Sequence, residues 1–458
     1  MTKNRISHLF AVAMFKLRCG NSGDSFRLVF LVCAIALTLS FVGSQPTQAQ
    51  SEPAYTFSVL HTFNGTNGEN PDGALITDAA GNLYSTTTYG GNAGCVNTGG
   101  LSGCGTVFKL NKNGKQTMLY KFPASGANGV NPNVGLVADK AGNLYGITDF
   151  GGADNNGTVF KLTTSGKETV LYSFTGGKDG GIPNAFLIFD AAEDNLYGTT
   201  EAGGDVSCTN VLNLTGCGVV FKVNKTTGKE TVLYTFNGGK VGGIPIAALT
   251  IDAAGNLYGT AALGGNLSCP SPYGPGTGCG LVFKINKATG KEGVLHRFNG
   301  ADGASPGAAL YMDKAGDFYS TTFYGGADGL GTVFKLDTSG KESVLYSFTG
   351  GTDGGFPDGA LIPDAAGNFY STANSGGDLS CSVPNSAPGC GVVFKLNKTT
   401  GEETVLYSFT GGADGAVPAV SLIRDAGGNL YGTASQGGNP SCSGQFVAGC
   451  GTVFKLAP

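Results

Sequence analysis

A four-part repeat occurs seven times between residues 55 and 458, and it constrains the fold of this chain more than any other feature. Each copy combines a Leu-x-x-Asp, a Gly-Asn-Leu-Tyr, a Gly-Thr-Val-Phe-Lys-Leu and a Val-Leu-Tyr-Ser-Phe segment, with small variations. The Phe of the third segment recurs at positions 108, 160, 221, 283, 334, 394 and 454. Four short β segments at a period of 51 to 62 residues predict a radial or solenoid architecture rather than a domain with a single core.

The two ends of the repeat region are out of frame with each other, and this favours a closed ring. Residues 55–63 form a lone fourth strand, whereas the chain ends just after a third strand at residues 451–456. Pairing the two ends would complete one blade and remove two exposed sheet edges. We therefore predict an all-β fold, a seven-bladed β-propeller of four-stranded blades that is closed by pairing of the N-terminal strand with the C-terminal blade. A parallel β-helix is the alternative, but the offset between the two ends would have no structural role in an open solenoid.

The first 49 residues have the features of an export signal. Basic residues precede an apolar run at residues 28–42, and small residues at Thr47 and Ala49 fit a cleavage site after Ala49. The apolar run has 15 residues, fewer than the roughly 20 that span a bilayer. We expect a signal peptide at 1–49 and one propeller domain at 50–458, in an exported protein that is secreted, periplasmic or at the cell surface and has no membrane span after cleavage. An uncleaved anchor is the alternative.

The ten cysteines beyond the signal form five local pairs. The pairs are Cys95/Cys104, Cys208/Cys217, Cys269/Cys279, Cys381/Cys390 and Cys442/Cys450. Each lies between the Gly-Gly after a second strand and the Gly that opens a third strand, and the two repeats with short loops have no cysteine there. Two cysteines or none per loop predicts a disulfide in each pair. The spacing, with no histidine nearby, does not resemble a zinc site.

The charge of the chain argues against nucleic acid as a partner. Without residues 1–49, which carry five cations and one anion, the formal net charge changes from −4 to −8. An acidic body that is poor in arginine lacks the basic surface that phosphate groups require. The sequence gives no reason to expect a cofactor or a metal, and we expect a monomer.

Residues that recur in every repeat are predicted to have structural roles. The Asp of each Leu-x-x-Asp segment precedes a tight turn and can accept hydrogen bonds from its backbone N–H groups. The Lys of Val-Phe-Lys and the Glu that opens the fourth strand are expected to be cross-strand partners. His61 and His296 both replace the Tyr of a fourth strand, which indicates an aromatic position filled differently. With no third histidine beyond the signal, a Ser-His-Asp triad or a histidine-rich metal site has little support.

One face of the predicted propeller carries both the cysteine loops and the connectors from fourth to first strands, and we call it the disulfide face. Variable loops on a rigid scaffold are where binding sites commonly lie. On this face the two residues before Gly-Gly differ between repeats, and strand two is expected to lie near the central channel. The candidate ligand-binding residues at these positions are Tyr89, Asp149, Phe150, Glu201, Phe323, Tyr324 and Asn374. The alternative explanation is that this variation is neutral, because many side chains are tolerated at the end of a strand.

The amino-acid sequence of the repeat resembles that of the GloVer-type tandem-repeat family of exported bacterial proteins over essentially all of residues 55–458. The resemblance rests on seven Gly-x-Val-Phe-Lys segments, as at 331–335, with Gly-Asn-Leu-Tyr upstream, as at 255–258. It implies export and brings no known activity. The order of the segments is also similar to that of kelch propellers, although the kelch Trp is absent, and this second likeness implies only the fold.

The sequence predicts a non-catalytic binding module that takes an extracellular ligand, carbohydrate or protein, on the disulfide face. The alternative is a hydrolase or lyase that acts on polysaccharide, with Asp149 and Glu201 as acid and base from adjacent blades. Glycoside cleavage needs two carboxyl groups roughly 5–10 Å apart. A structural or adhesive module that uses its faces only for assembly is a third hypothesis.

Overall fold

The structure is a computed structural model that describes residues 54–92, 94–95, 103–208, 214–382, 387–418, 420–442 and 448–458. The predicted signal peptide at 1–49 lies outside the described residues. Within them the strands form seven antiparallel sheets, the blades of a β-propeller, so that the predicted fold class is confirmed. In the same residues, no helix is long and apolar enough to cross a membrane.

Blades 1 to 6 each have four main strands in sequence order from the channel to the outer edge, and blade 7 takes its outermost strand from the N-terminus. The innermost strands are Ile76–Thr77, Val137–Ala138, Ile188–Phe189, Thr250–Ile251, Tyr311–Met312, Ile362–Pro363 and Ile423–Arg424. The second strands are Leu83–Thr87, Leu144–Thr148, Asn195–Ala202, Leu257–Ala261, Phe318–Thr322, Asn368–Ser375 and Leu430–Ala434. The third strands are Thr106–Leu110, Thr158–Leu162, Val219–Asn224, Leu281–Ile285, Thr332–Leu336, Val392–Asn397 and Thr452–Ala457. The fourth strands of blades 1 to 6 are Gln116–Lys121, Glu168–Ser173, Glu230–Thr235, Glu292–Arg297, Glu342–Ser347 and Glu403–Ser408.

Three short elements complete the described secondary structure. In blades 3 and 6 the second strand is longer, and Gly181–Pro183 and Gly355–Pro357 pair with its end. A 3₁₀ turn at Gly239–Val241 lies in the connector from blade 3 to blade 4. All three lie in connectors that lead from a fourth strand towards the channel.

The ring is closed by the two ends of the chain. The N-terminal strand Thr56–Thr62 pairs with Thr452–Ala457 and serves as the fourth strand of blade 7. The register runs from Thr56 opposite Ala457 to Thr62 opposite Thr452. The closure predicted from the frame shift is confirmed.

The hydrophobic core consists of seven clusters, each between two neighbouring blades. In every cluster a Phe that follows the fourth strand of one blade packs edge-to-face on the Val-Phe-Lys Phe of the next. The pairs are Phe63–Phe108, Phe122–Phe160, Phe174–Phe221, Phe236–Phe283, Phe298–Phe334, Phe348–Phe394 and Phe409–Phe454. Their centroids lie 5.0–5.3 Å apart, in the range that aromatic pairs prefer. The Phe63–Phe108 pair joins blade 7 to blade 1, so the same aromatic contact occurs at all seven junctions between blades.

The recurring aspartates stabilise the turns between first and second strands, as predicted. Asp78 Oδ1 accepts hydrogen bonds from the N–H groups of Ala80 and Asn82, and Oδ2 accepts from Asn82 Nδ2 and the Tyr84 hydroxyl. Burial alone would raise the pKa of Asp78, but these hydrogen bonds outweigh it and lower the pKa to about 2. The pKa of each equivalent aspartate is also lowered.

The predicted cross-strand pairing of Lys with Glu is wrong. In blade 2, Lys161 lies opposite Thr169 whereas Glu168 lies opposite Leu162, so Lys and Glu are on opposite faces of the sheet. The Lys ammonium instead lies over the Tyr ring of the second strand, 5.5 Å from the centroid of Tyr145. The Glu side chain faces the connector of the preceding blade.

Candidate functional site

A strained residue turns the chain from the disulfide face into the central channel in every blade. The residue before a proline has positive φ at Asn70, Asn131, Ile182, Ile244, Ser305, Phe356 and Val417, with φ of 51–58°. This region is unfavourable for β-branched residues, three of which occur here. Because the strain recurs in all seven blades, it belongs to the architecture, and it directs the residue after the proline towards the channel.

Hydrogen bonds between blades hold this strained conformation. The Ile244 N–H donates to the carbonyl of Cys217 in the previous blade at 3.0 Å, and the Val417 N–H donates to Cys390 at 2.9 Å. The following proline packs on the glycine that opens the previous blade's third strand. A Cβ on Gly218, for example, would lie 2.9 Å from the Cδ of Pro245.

All five predicted disulfides are present. They join Cys95–Cys104, Cys208–Cys217, Cys269–Cys279, Cys381–Cys390 and Cys442–Cys450. In each pair the carbonyl of the second cysteine accepts the N–H of the strained residue in the next blade. The disulfides therefore stabilise the segments that shape the channel.

The channel opens into a cavity of about 280 Å³ that residues from all seven blades line, and we call it the channel mouth. One arc of its wall is polar, and its lining residues are Asp72, Asn133, Asn184, Asp358 and Ser421. Blades 4 and 5 form an apolar arc with Ile246, Ala247, Ala248, Gly307, Ala308 and Ala309. Among the described lining residues there is no lysine or arginine. Asp72, Asn133, Asn184 and Asp358 each follow a strained residue and its proline, whereas the equivalent Ala419 lies outside the described residues.

Two of the channel aspartates interact with each other. Burial raises the pKa of Asp72 to about 6, although hydrogen bonds from Thr88 and Ser435 oppose the shift. Burial, and then the charge of Asp72, raises the pKa of Asp358 to about 7. Both groups are therefore partly protonated near neutral pH, and each can donate as well as accept a hydrogen bond.

The predicted residues Asp149 and Glu201 adjoin this polar arc. Asn133 Nδ2 donates to Asn184 Oδ1 at 3.0 Å, and Asn184 Nδ2 donates to Glu201 Oε1. Burial raises the pKa of Glu201. Burial, followed by the charges of Glu201 and Asp72, raises the pKa of Asp149 well above its usual range. Four carboxyl groups from blades 6, 1, 2 and 3 thus interact in sequence, Asp358 with Asp72, Asp72 with Asp149 and Asp149 with Glu201.

Tyr89 and Phe150 also lie at this edge of the disulfide face. Burial and the charges of Asp72 and Asp149 raise the pKa of the half-buried Tyr89. Phe150 is 40 % exposed. The buried Oδ1 atoms of Asn133 and Asp149 have no hydrogen-bond partner among the described residues. The structure therefore brings Tyr89 and Asp149 close to Asp72, and Glu201 close to Asp149.

The remaining predicted residues come from blades 5 and 6. Phe323 stacks on Phe356 with centroids 5.1 Å apart, and Tyr324 packs edge-on against both rings. Tyr273, from the Cys269–Cys279 loop, makes a further edge contact with Tyr324 at 5.9 Å. We call these four residues the aromatic cluster. The predicted Asn374 is half-buried with a buried, unpaired Oδ1 in the described chain.

Sequence reasoning missed the residues that line the cavity most directly. Asp72, Asn133, Asn184 and Asp358 all occupy the position after the connector proline, where other repeats have Ile246, Gly307 and Ala419. The sequence does mark these positions, because the residue directly after the connector proline differs between repeats whereas the proline does not. The variable positions selected from the sequence lie at the ends of the second strands, beside the lining residues rather than among them.

Within the part of the chain that the structure describes, one cluster of side chains could bind a metal ion. It contains His296, Asp302 and Glu342, at the outer rim rather than in the channel. The channel carboxyl groups do not converge on a common point in the same way.

The sequence profile of the Gloeobacter/Verrucomicrobia repeat matches this chain over residues 47–212, 93–269 and 265–458. No curated protein matches the chain. Three similar solved structures are oligogalacturonate lyase in complex with manganese, TolB from Acinetobacter baumannii and the nidogen/laminin complex. The lyase is 11 % identical, covers 88 % of this chain and 96 % of its own, and has a TM-score of 0.47.

For TolB the identity is 13 %, the coverage 84 % of this chain and 78 % of TolB, and the TM-score 0.37. For the nidogen/laminin complex the identity is 13 %, the coverage 71 % of this chain and 92 % of the other, and the TM-score 0.38. An enzyme and binding proteins occur side by side among these structures. At such identities and scores they do not bear on what this chain binds.

Proposed function

This chain belongs to the Gloeobacter/Verrucomicrobia repeat family, and we propose that it is an exported, non-catalytic propeller that binds carbohydrate at the channel mouth of its disulfide face. The observation that carries the proposal is the cavity itself, with carboxyl and amide groups on one arc and apolar groups on the other.

The polar arc suits a ligand with many hydroxyl groups. Carboxyl groups with pKa values of about 6 and 7, as at Asp72 and Asp358, can both donate and accept hydrogen bonds. The amides of Asn133 and Asn184 offer both functions at any pH. Unpaired buried acceptors, such as Oδ1 of the lining residue Asn133, cost free energy until a donor reaches them. A sugar hydroxyl supplies such a donor.

The apolar arc and the aromatic cluster suit the other faces of a sugar. Ligand sites commonly combine apolar walls with a few polar groups that fix orientation. The alanines and Ile246 of blades 4 and 5 offer a wall for C–H groups, and the aromatic cluster extends this surface outwards. The cavity of about 280 Å³ suits one or two sugar rings.

The test is a glycan array probed with the exported protein, followed by calorimetry with the best ligand. We expect Asp72→Ala and Asn184→Ala to weaken binding about tenfold or more, since each removes a hydrogen bond worth roughly 1–3 kcal/mol. Asp328→Ala is the matched control, because Asp328 is exposed in the short loop of blade 5. Absence of glycan binding, or binding that neither channel variant weakens, would refute the proposal.

A polysaccharide hydrolase or lyase is the second candidate, and the interaction of Asp149 with Glu201 favours it. Two coupled carboxyl groups from adjacent blades, both with raised pKa values, can divide the roles of acid and base. The measurement is release of reducing ends or unsaturated products from a polysaccharide panel. Turnover that Asp149→Asn and Glu201→Gln both abolish would replace the binding proposal, whereas unaffected turnover would exclude these residues.

Export itself is testable separately. Five disulfides are typical of proteins that mature outside the cytoplasm. We propose that a signal peptide is removed after Ala49 and that the product is a secreted, periplasmic or surface-located monomer. Mass spectrometry of the exported protein gives the N-terminus, and size-exclusion chromatography with light scattering gives the oligomeric state. A retained N-terminus would favour the anchor.

A further inference from the structure

A three-residue group recurs at the outer rim of the disulfide face, between neighbouring blades. It combines the Tyr of one fourth strand, an Asp of the connector that follows, and the Glu that opens the next fourth strand. In blades 2 and 3 these are Tyr172, Asp179 and Glu230, and the Tyr172 hydroxyl donates to Asp179 Oδ2 at 2.9 Å. The charge of Asp179, after burial, raises the pKa of Glu230 to about 7. We call this arrangement a rim site.

Two rim sites have a histidine in place of the tyrosine, and their partners differ. Between blades 7 and 1, His61 Nε2 lies 3.1 Å from Asn67 Nδ2, and Gln116 Nε2 donates to the Asn67 carbonyl at 2.8 Å. Between blades 4 and 5, His296 has two carboxyl groups instead of two amides. The chain thus contains a neutral and an acidic version of one histidine site.

The acidic version has the geometry of a metal centre. His296 Nε2 lies 3.1 Å from Asp302 Oδ2, and one ligand atom from each of His296, Asp302 and Glu342 lies within 4.8 Å of the other two. Ligands of a tetrahedral ion at 2.0–2.2 Å are about 3.3 Å apart, so small side-chain movements would complete the site. The structure holds two of the ligands in place: Asn299 donates its N–H and Nδ2 to the two Asp302 oxygens at 2.8 Å, and the His296 ring packs edge-on against Phe298.

The third ligand has an unused lone pair. Glu342 Oε1 is buried and has no hydrogen-bond partner among the described residues. Glu342 and Asp302 are the two carboxyl groups of this site. Two carboxyl groups this close repel each other when both are ionised, and a divalent cation between them would remove that cost.

We propose that His296, Asp302 and Glu342 bind one divalent transition-metal ion, zinc in preference to calcium or magnesium, with water completing the coordination. One imidazole nitrogen with two carboxylate oxygens is a ligand set that zinc accepts, whereas calcium and magnesium prefer oxygen alone. The ion would tie the fourth strand of blade 4 to that of blade 5. This inference does not depend on the carbohydrate proposal.

The experiment measures zinc bound to the exported protein after chelator treatment and reloading, by elemental analysis and by calorimetry. We expect about one zinc per chain and a rise in melting temperature, because a ligand that binds only the folded state stabilises it. His296→Tyr and Glu342→Gln should each weaken zinc binding tenfold or more and abolish the rise. Both variants should fold, since Tyr172 and Gln116 occupy the equivalent positions in other blades.

His61→Tyr is the matched control, because it removes the histidine of the neutral rim site. It should leave zinc stoichiometry and affinity unchanged. Absence of zinc binding in the wild-type protein would overturn the proposal. So would equal binding by wild type and His296→Tyr, or equal loss of binding in His61→Tyr and His296→Tyr.

Discussion

The turn aspartates and the channel aspartates place the same side chain in two opposite environments. Asp78 accepts four hydrogen bonds, and its pKa is about 2. Asp358 is surrounded by channel wall and faces the charge of Asp72, and its pKa is about 7. The first kind of aspartate occurs once per blade and stabilises the fold. The second kind occurs in only two blades and destabilises the fold when ionised, which is typical of residues kept for function.

Asp78→Ala should have the largest effect on stability. The ionised Asp78 satisfies two backbone and two side-chain donors, so its loss should lower the free energy of unfolding by about 3 kcal/mol at neutral pH. Because the folded-state pKa lies below the usual value, this contribution is present above about pH 4 and is lost as the pH falls towards 2. Urea unfolding at pH 7 and pH 3 measures it. An equal deficit at both pH values would contradict the assignment.

Asp358→Asn should raise the free energy of unfolding, whereas Asp78→Ala lowers it. The folded-state pKa of Asp358 is raised, so the folded state keeps a proton that the unfolded state has released, and stability falls as the pH rises from about 4 to 7. The variant should therefore be more stable than wild type by roughly 2 kcal/mol at pH 8, allowing for screening by water in the mouth. At pH 4 the two should be alike. A loss of stability at pH 8 would contradict this prediction.

Tyr84→Phe should have the smallest effect on stability, and it measures how much the tyrosine hydroxyl contributes to the turn. It removes the hydroxyl that donates to Asp78 Oδ2 at 2.8 Å and should cost about 1 kcal/mol. Tyr319→Phe removes the longer equivalent bond to Asp313, at 3.3 Å, and serves as the matched comparison. Thermal unfolding should rank Tyr84→Phe as the more damaging change. The reverse order would mean that ring packing, rather than the hydroxyl, determines the cost.

Much of the fold was predictable because it is encoded in local and repeated signals. The closing pair of strands followed from the frame shift between Tyr55 and Leu456, and each disulfide followed from two cysteines in one loop. The Lys–Glu pairing was predicted wrongly because one residue of register decides which face of a sheet a side chain occupies. Spacing along the chain does not reveal that register.

The candidate site was only partly predictable. Asp149 and Glu201 were selected because they vary between repeats, and their placement beside Asp72 depends on how adjacent blades meet. The rim site of His296 was read as an aromatic position, and its ring does pack on Phe298 as the tyrosines pack on theirs. The approach of Asp302 and Glu342 brings together a connector and a strand of the next blade, which no spacing along one repeat reveals.

The sequence by itself determined the number of blades, the order of their strands, the closure of the ring and the disulfides, because a repeat that cannot bury its apolar face alone must stack on its neighbours. Only the tertiary structure decided which exceptions to the repeat share a site. Seven positive-φ residues turn the connectors inwards and place Asp72 and Asp358 in the channel, where the charge of Asp72 also acts on Asp149. Burial then sets their pKa values, and burial is a property of the assembled ring rather than of any one repeat.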